Sequence, residues 1–108
     1  MHAWLMQHAK EVQLRLVKSL LELILLRLLN SGDKHGYLLI TEIRRNYGVY
    51  FGPSTVYPLL LGLERDGYVR GQWRMNKSRP RKEYAITCAG RELILTYEQI
   101  NQIILQSS

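Results

Sequence analysis

A chain of 108 residues with 46% hydrophobic content is enough for one small domain, whose modest core a second copy would usefully enlarge. Fifteen basic residues against nine acidic ones give a formal net charge of +6, which favours an anionic partner, nucleic acid or membrane surface. The single cysteine, Cys88, excludes an internal disulfide framework and fits a reducing cytosol.

The stretch from Met1 to Lys10 has no apolar run suited to a signal peptide, and the apolar run from Leu20 to Leu29 is interrupted by Glu22 and Arg27, well short of a membrane span. The expectation is a cytoplasmic protein with no membrane partner. From about Val12 to Leu29 the chain is apolar at most positions and free of Gly and Pro, which predicts a single helix. Leu14, Leu21, Leu25 and Leu28 mark one face, and Leu16, Leu20, Leu23 and Ile24 crowd others. Such a helix must be covered on more than one side, either as a central core helix or, the reading favoured here, as one shared with a partner subunit. Residues 1–11 are unaccounted for, and an extension of this helix is open.

Residues 30–33 are turn formers, and His35-Gly36-Tyr37 opens a second helix with Leu39, Ile40 and Ile43 at helical spacing. It stops at Tyr47-Gly48, and Pro53 introduces a third helix, so the pair reads as a helix-turn-helix. In the third helix Val56, Leu59, Leu60 and Leu63 should face the core. Ser54 and Thr55 suit its N-terminus, as caps for backbone N–H groups and as neighbours of a bound phosphate. Pro58 predicts a distorted first turn, or regular helix beginning near Thr55, and Gly67 a left-handed stop.

Residues 68–75 alternate with a period near two, residues 76–80 read as a turn, and residues 83–86 return as a second strand. A helix-turn-helix followed by such a hairpin is a winged helix. Thr87 suits the cap of a last helix running to Gln106, in which Leu93, Tyr97, Ile100 and Ile104 step by four, three and four, the spacing of a coiled-coil seam. Self-association explains that seam, and packing onto the first helix of the same chain is the alternative. The fold class is therefore mainly α with a small β-hairpin: one domain over 1–108, with a winged helix-turn-helix over about 12–86 and a C-terminal dimerisation helix over about 87–106.

At this point the chain resembles the PadR-like transcriptional regulators. His35-Gly36-Tyr37 matches the start of that family's second helix. Thr55-Val56-Tyr57-Pro58, Leu60, Leu63-Glu64 and Gly67 match its recognition helix, and Arg79-Pro80-Arg81-Lys82, Tyr84, Thr87 and Gly90-Arg91 match its wing and last helix. The single short C-terminal helix looks like the compact branch. The resemblance implies a homodimer that binds operator DNA, usually as a repressor, and that responds to small aromatic or hydrophobic effectors. One departure is Leu61-Gly62, where the family often has a basic residue. It removes a phosphate contact and leaves open how much affinity rests on this helix rather than the wing.

Six basic residues within thirteen positions, Arg70, Arg74, Lys77, Arg79, Arg81 and Lys82, are opposed locally by Glu83 alone, which favours a DNA-facing wing over an ordinary solvated hairpin. Lys77 and Arg79 at its tip would neutralise phosphates or enter the minor groove, while Arg81 and Lys82 serve DNA or support the ribbon. The DNA-binding set is completed by Ser54, Thr55, Tyr57 and Tyr37; of these, Tyr37 is a residue type more often found in a core. His35 is expected to be structural, hydrogen-bonded at its helix start. The dimer interface would take Leu16, Leu20, Leu93, Tyr97, Ile100 and Ile104, and an effector would sit against Leu16, Leu20, Tyr97 or Trp4. His2, His8 and His35 are scattered without metal-ligand spacing, and there is no Gly-rich phosphate loop or nucleophile elbow, so neither cofactor nor enzyme activity is expected. Two further readings compete: a dimeric interaction module that has lost operator binding, and a sequence-neutral DNA coat.

Overall fold

The computed structural model describes residues 2–107, with the side chains of residues 2, 4, 5 and 6 outside that description, Trp4 among them. In chain order the elements are α1 (His2–Ser19), α2 (Leu21–Asn30), β1 (Lys34–His35), α3 (Gly36–Tyr47), α4 (Pro53–Arg65), β2 (Val69–Asn76), β3 (Arg79–Ile86) and α5 (Cys88–Gln106). The three strands form one antiparallel sheet in the order β1-β3-β2, so the expected hairpin gains a third strand, in which Lys34 pairs with Tyr84 and His35 with Glu83.

The single helix expected from about Val12 to Leu29 is two helices. The break is at Leu20 (φ −102°, ψ 6°), whose N–H is shared between the carbonyls of Leu16 and Val17, both at 3.1 Å. Immediately before it, the Ser19 hydroxyl donates to the Leu16 carbonyl at 2.9 Å, a side-chain competitor for the backbone ladder of the kind that bends helices without Gly or Pro. The break separates two roles. In α2, Leu21, Leu25, Leu26 and Leu29 are almost wholly buried, because α3, β3 and α5 cover it from different sides. In α1, Val17 is buried, but Leu14 and Leu16 stand exposed beside Leu20.

Leu39 and Ile43 of α3 and Val56 and Leu60 of α4 complete the fully buried centre. Helix α4 begins at Pro53 and runs unbroken through Pro58, without the distorted first turn its sequence suggests. Pro53 sits where an N–H would lack a partner anyway, and the carbonyl that Pro58 cannot serve belongs to Ser54, which is open to water. The N-cap is Gly52 with no side-chain cap, so Ser54 and Thr55 lie in the first turn without the capping role expected of them. At the other end Gly67 is left-handed (φ +83°), and the N–H groups of Gly67 and Tyr68 reach the carbonyls of Glu64 (3.0 Å) and Leu63 (2.9 Å), a Schellman stop.

The turn of the wing is shorter than residues 76–80. Asn76 pairs directly with Arg79, leaving Lys77 and Ser78 alone at the tip, both left-handed (φ +50° and +68°). Arg79 and Pro80 thereby belong to β3. Pro80 lies opposite Met75, next to the pair that closes the turn, where antiparallel alternation points the missing N–H away from β2, and β1 reaches only Glu83 and Tyr84 of β3. Thr87 caps α5 as expected, accepting from Gly90 N at 3.1 Å. A Cβ on Gly90 would overlap the Tyr68 carbonyl oxygen and lie 2.7 Å from Ile86 Cγ1, so this turn of α5 rests directly on backbone.

The expected seam along α5 divides. Leu93 and Tyr97 are half-buried against the chain's own core, and Tyr97 donates to Glu22 of α2 at 3.2 Å. Ile100, Ile103, Ile104 and Leu105 are all more than half exposed. The Cα radius of gyration is 15.9 Å, against about 13 Å for a compact chain of this length, as expected when helix surface projects beyond the core.

Candidate nucleic-acid interface

Burial of Val56, Leu60 and Leu63 fixes the rotation of α4 and turns Ser54, Tyr57, Pro58, Leu61 and Arg65 outwards. Tyr57 is 41% exposed, and its ring crosses Gly36 so closely that a Cβ there would overlap it. Gly36 is thus what lets α3 and the Tyr57 ring share this surface. Tyr37 stands 69% exposed on the same face, outside the core that is the commoner home of its residue type.

The wing is fastened to α4 by one polar clasp. Glu64 accepts from Lys82 Nζ at 2.8 Å through one oxygen and from Gly71 N at 3.1 Å through the other, joining α4 to both long strands. A Cβ on Gly71 would meet Lys82 Cε and lie 2.7 Å from Glu64 Oε2, so the clasp needs glycine there. The hydrogen bond from Lys82 holds the Glu64 carboxyl below the usual carboxylate range, and the same bond from Glu64 holds the Lys82 ammonium above the usual lysine range. Lys82 Nζ also lies 5.2 Å from the Tyr84 ring centroid. Burial, the largest influence on Tyr84, pushes its phenol up.

The six wing cations therefore differ. Lys82 is held by Glu64, Arg74 reaches Glu83 at 3.1 Å, and Arg81 lies 4.0 Å from the other Glu83 oxygen. Arg81 Nε is buried with no hydrogen-bond partner. Among the described residues Arg70, Lys77 and Arg79 have no acidic partner, and all three are exposed. Sequence reasoning counts Glu83 as the local counter-charge but misses Glu64, eighteen positions from Lys82, since an acid on a helix gives no sign of which strand it meets.

Between α4 and the wing runs an open groove of about 480 Å³, walled by Tyr37, Tyr57, Leu61, Trp73, Pro80 and Tyr84 and edged by His35, Arg81 and Lys82. A second groove, of about 770 Å³, lies between α3 and the start of α4 and brings Arg44, Arg45 and Tyr50 next to Tyr37 and Pro53. Those two arginines extend the cationic face. His35 accepts from Leu38 N at 3.2 Å through Nδ1, capping α3. Burial, then the nearby Arg81 charge, lowers its pKa, with Glu83 opposing. Of the expected interface residues, Leu16, Leu20, Ile100 and Ile104 are exposed and Leu93 and Tyr97 are partly covered. Among the described residues no group of three or more His, Cys, Asp or Glu could hold a metal ion, and no helix is long and apolar enough to cross a membrane.

The chain has clear relatives. It is 38% identical over 61 residues to the transcriptional regulator Rv3488 of Mycobacterium tuberculosis, a match spanning 56% of this chain and 56% of that protein. In structure it is similar to a PadR family transcriptional regulator from Eggerthella lenta (TM-score 0.79, 23% identity, all of both chains). It is also similar to Bacillus subtilis PadR in complex with operator DNA (TM-score 0.68, 22% identity, 72% of this chain and 46% of that one). The model of the transcriptional regulator PadR-like family matches residues 25–95, from the middle of α2 through the wing into the first half of α5, and the chain belongs to that family.

Proposed function

We propose that this transcriptional regulator is a sequence-specific DNA-binding repressor that acts as a homodimer on a palindromic operator. The observation that carries the reading is one surface on which the outward face of α4 lies beside a wing whose Arg70, Lys77 and Arg79 have no acidic partner among the described residues. A helix of that size fits a major groove, and unpaired cations on a ribbon suit the flanking phosphates. The operator complex of the Bacillus subtilis relative supports the assignment.

The dimer is supported by the exposed Ile100, Ile103, Ile104 and Leu105 on α5 with Leu14 and Leu16 of α1 and Leu20 at the break, more apolar surface than single scattered residues leave. Two-fold symmetry would put half-site centres about 34–36 Å apart. An effector, as the family resemblance implies, would be a small aromatic or hydrophobic compound held at that interface. The compartment is the cytoplasm.

The test is binding of the purified chain to the DNA upstream of its own gene at two salt concentrations, beside a scrambled duplex and a Lys77→Ala/Arg79→Ala variant. Preference for the native duplex, with weaker binding and a shallower salt slope in the variant, sustains the reading. Equal binding to both duplexes leaves a coating protein or an operator located elsewhere, and no binding at low salt points to an interaction module. Sedimentation of an Ile103→Glu/Ile104→Glu variant tests the dimer: a monomer is expected, and an unchanged dimer would place the interface elsewhere.

A further inference from the structure

The outward face of α4 is poor in the side chains that read bases by paired hydrogen bonds. Arg or Lys recognises guanine and Asn or Gln recognises adenine by bidentate contacts. None of these stands among Pro53, Ser54, Tyr57, Pro58 and Leu61, the exposed positions of the first three turns. Arg65, at the last turn, lies 3.6 Å from Asp66. What the face offers is apolar area: Leu61 is 60% exposed, and Trp73 of β2, 68% exposed, shares its groove. In the major groove the apolar landmark is the thymine C5 methyl, which the other three bases lack.

Building on the DNA-binding reading above, we propose that Leu61 is a specificity-determining residue, selecting half-sites that present a thymine methyl to it in the major groove. The pair Leu61-Gly62 is then a change of readout and not a loss of binding: a phosphate contact is exchanged for a base contact, while charge is left to the wing. Tyr57 and Pro58 extend the same apolar strip towards the helix start. Ser54, with one hydroxyl, can serve either a base or a phosphate without discriminating strongly.

The experiment selects duplexes bound by the full chain from a randomised pool of about 30 base pairs, enough for two half-sites a helical turn apart. The winner is resynthesised with uracil at each thymine in turn. Uracil keeps the base pair and removes only the methyl. At one position in each half-site uracil is expected to weaken binding about three- to fivefold, the worth of one buried methyl. A 5-methylcytosine·guanine pair there should recover part of the loss over cytosine·guanine. Leu61→Ala, at an exposed site that the core does not need, should bind the thymine and uracil duplexes alike. A selected duplex that is insensitive to uracil at every thymine overturns the inference and leaves the regulator reading standing, as does full uracil sensitivity in Leu61→Ala. Failure to enrich any duplex overturns both.

Discussion

Replacing Lys82 with methionine keeps most of the side chain's length and removes the ammonium that Glu64 holds at 2.8 Å. The two side chains are 24% and 28% exposed, between a surface ion pair worth at most about 1 kcal/mol and a sheltered charge-assisted hydrogen bond worth about 1.5–3 kcal/mol. A loss of about 1–2 kcal/mol is expected for Lys82→Met, and about 4–8 °C in Tm for each kcal/mol in a domain of this size. Glu64→Gln retains an acceptor for Gly71 N and should lose slightly less, and the double variant should lose little more than Lys82→Met alone. Protein concentration is held fixed, because dimerisation would itself move Tm. The signs of the pKa shifts set the pH window. The lowered Glu64 value gives stability present above the ordinary carboxylate range and lost as pH falls through the folded value. The raised Lys82 value gives stability present below the ordinary lysine range and lost as pH rises through the folded value. The melting difference between wild type and Lys82→Met should therefore be flat from about pH 5 to 9. The decisive second axis is salt. Lys82→Met should leave the slope of DNA affinity against salt unchanged, whereas Lys77→Ala should flatten it by about 0.9 for each phosphate that is no longer neutralised. A Lys82→Met protein that melts like wild type but shows the flattened slope refutes the division between clasp residues and DNA-facing ones.

Three further perturbations probe other parts of the same surface. Gly90→Ala sets a methyl against the Tyr68 carbonyl, and because backbone cannot step aside cheaply the loss should be about 2–3 kcal/mol by urea denaturation; a wild-type midpoint would show that α5 does not rest there. Ser78→Gly relieves a left-handed serine at the wing tip and should raise stability by about 1 kcal/mol in thermal melts without changing the salt slope of DNA binding. His35 caps α3 as the neutral ring, and its lowered pKa makes the cap's contribution complete above about pH 6.5 and lost as pH falls through the folded value, so Tm should hold down to about pH 6.5 and drop below it. His35→Asn, which caps without titrating, should remove that part of the drop, and an identical pH profile would exclude the cap as its source.

Those residues also show where the sequence is informative. The rotation of α4 follows from Val56, Leu60 and Leu63, and the helix stop at Gly67 and the helix start at Thr87 follow from backbone needs that few other residues meet. Local chemistry of that kind is written locally. The break at Leu20 is not, because it depends on which carbonyl the Ser19 hydroxyl chooses, and serine is compatible with a straight helix. Strand β1 is two residues long and exists only because β3 offers its free edge to Lys34 and His35. The wing turn is shorter than its residue types suggest for a related reason: Lys77 and Ser78 do not favour positive φ, and the pairing of Asn76 with Arg79 imposes it on them. Its register is set by the strands.

The divided seam of α5 carries the same lesson into the assembly. Leu93, Tyr97, Ile100 and Ile104 read as one continuous stripe, yet the first two are taken up by α2, where Arg27 meets Glu98 at 2.6 Å and Tyr97 meets Glu22. Those contacts fix the direction of α5 against α2, and α2 packs in turn against α3, which packs on α4. The exposed end of α5 therefore stands in a set relation to the outward face of α4 within each subunit. Joined through that end, two copies would hold their α4 faces at one separation, and the spacing of the half-sites would be set by packing inside the subunit as much as by the interface between subunits.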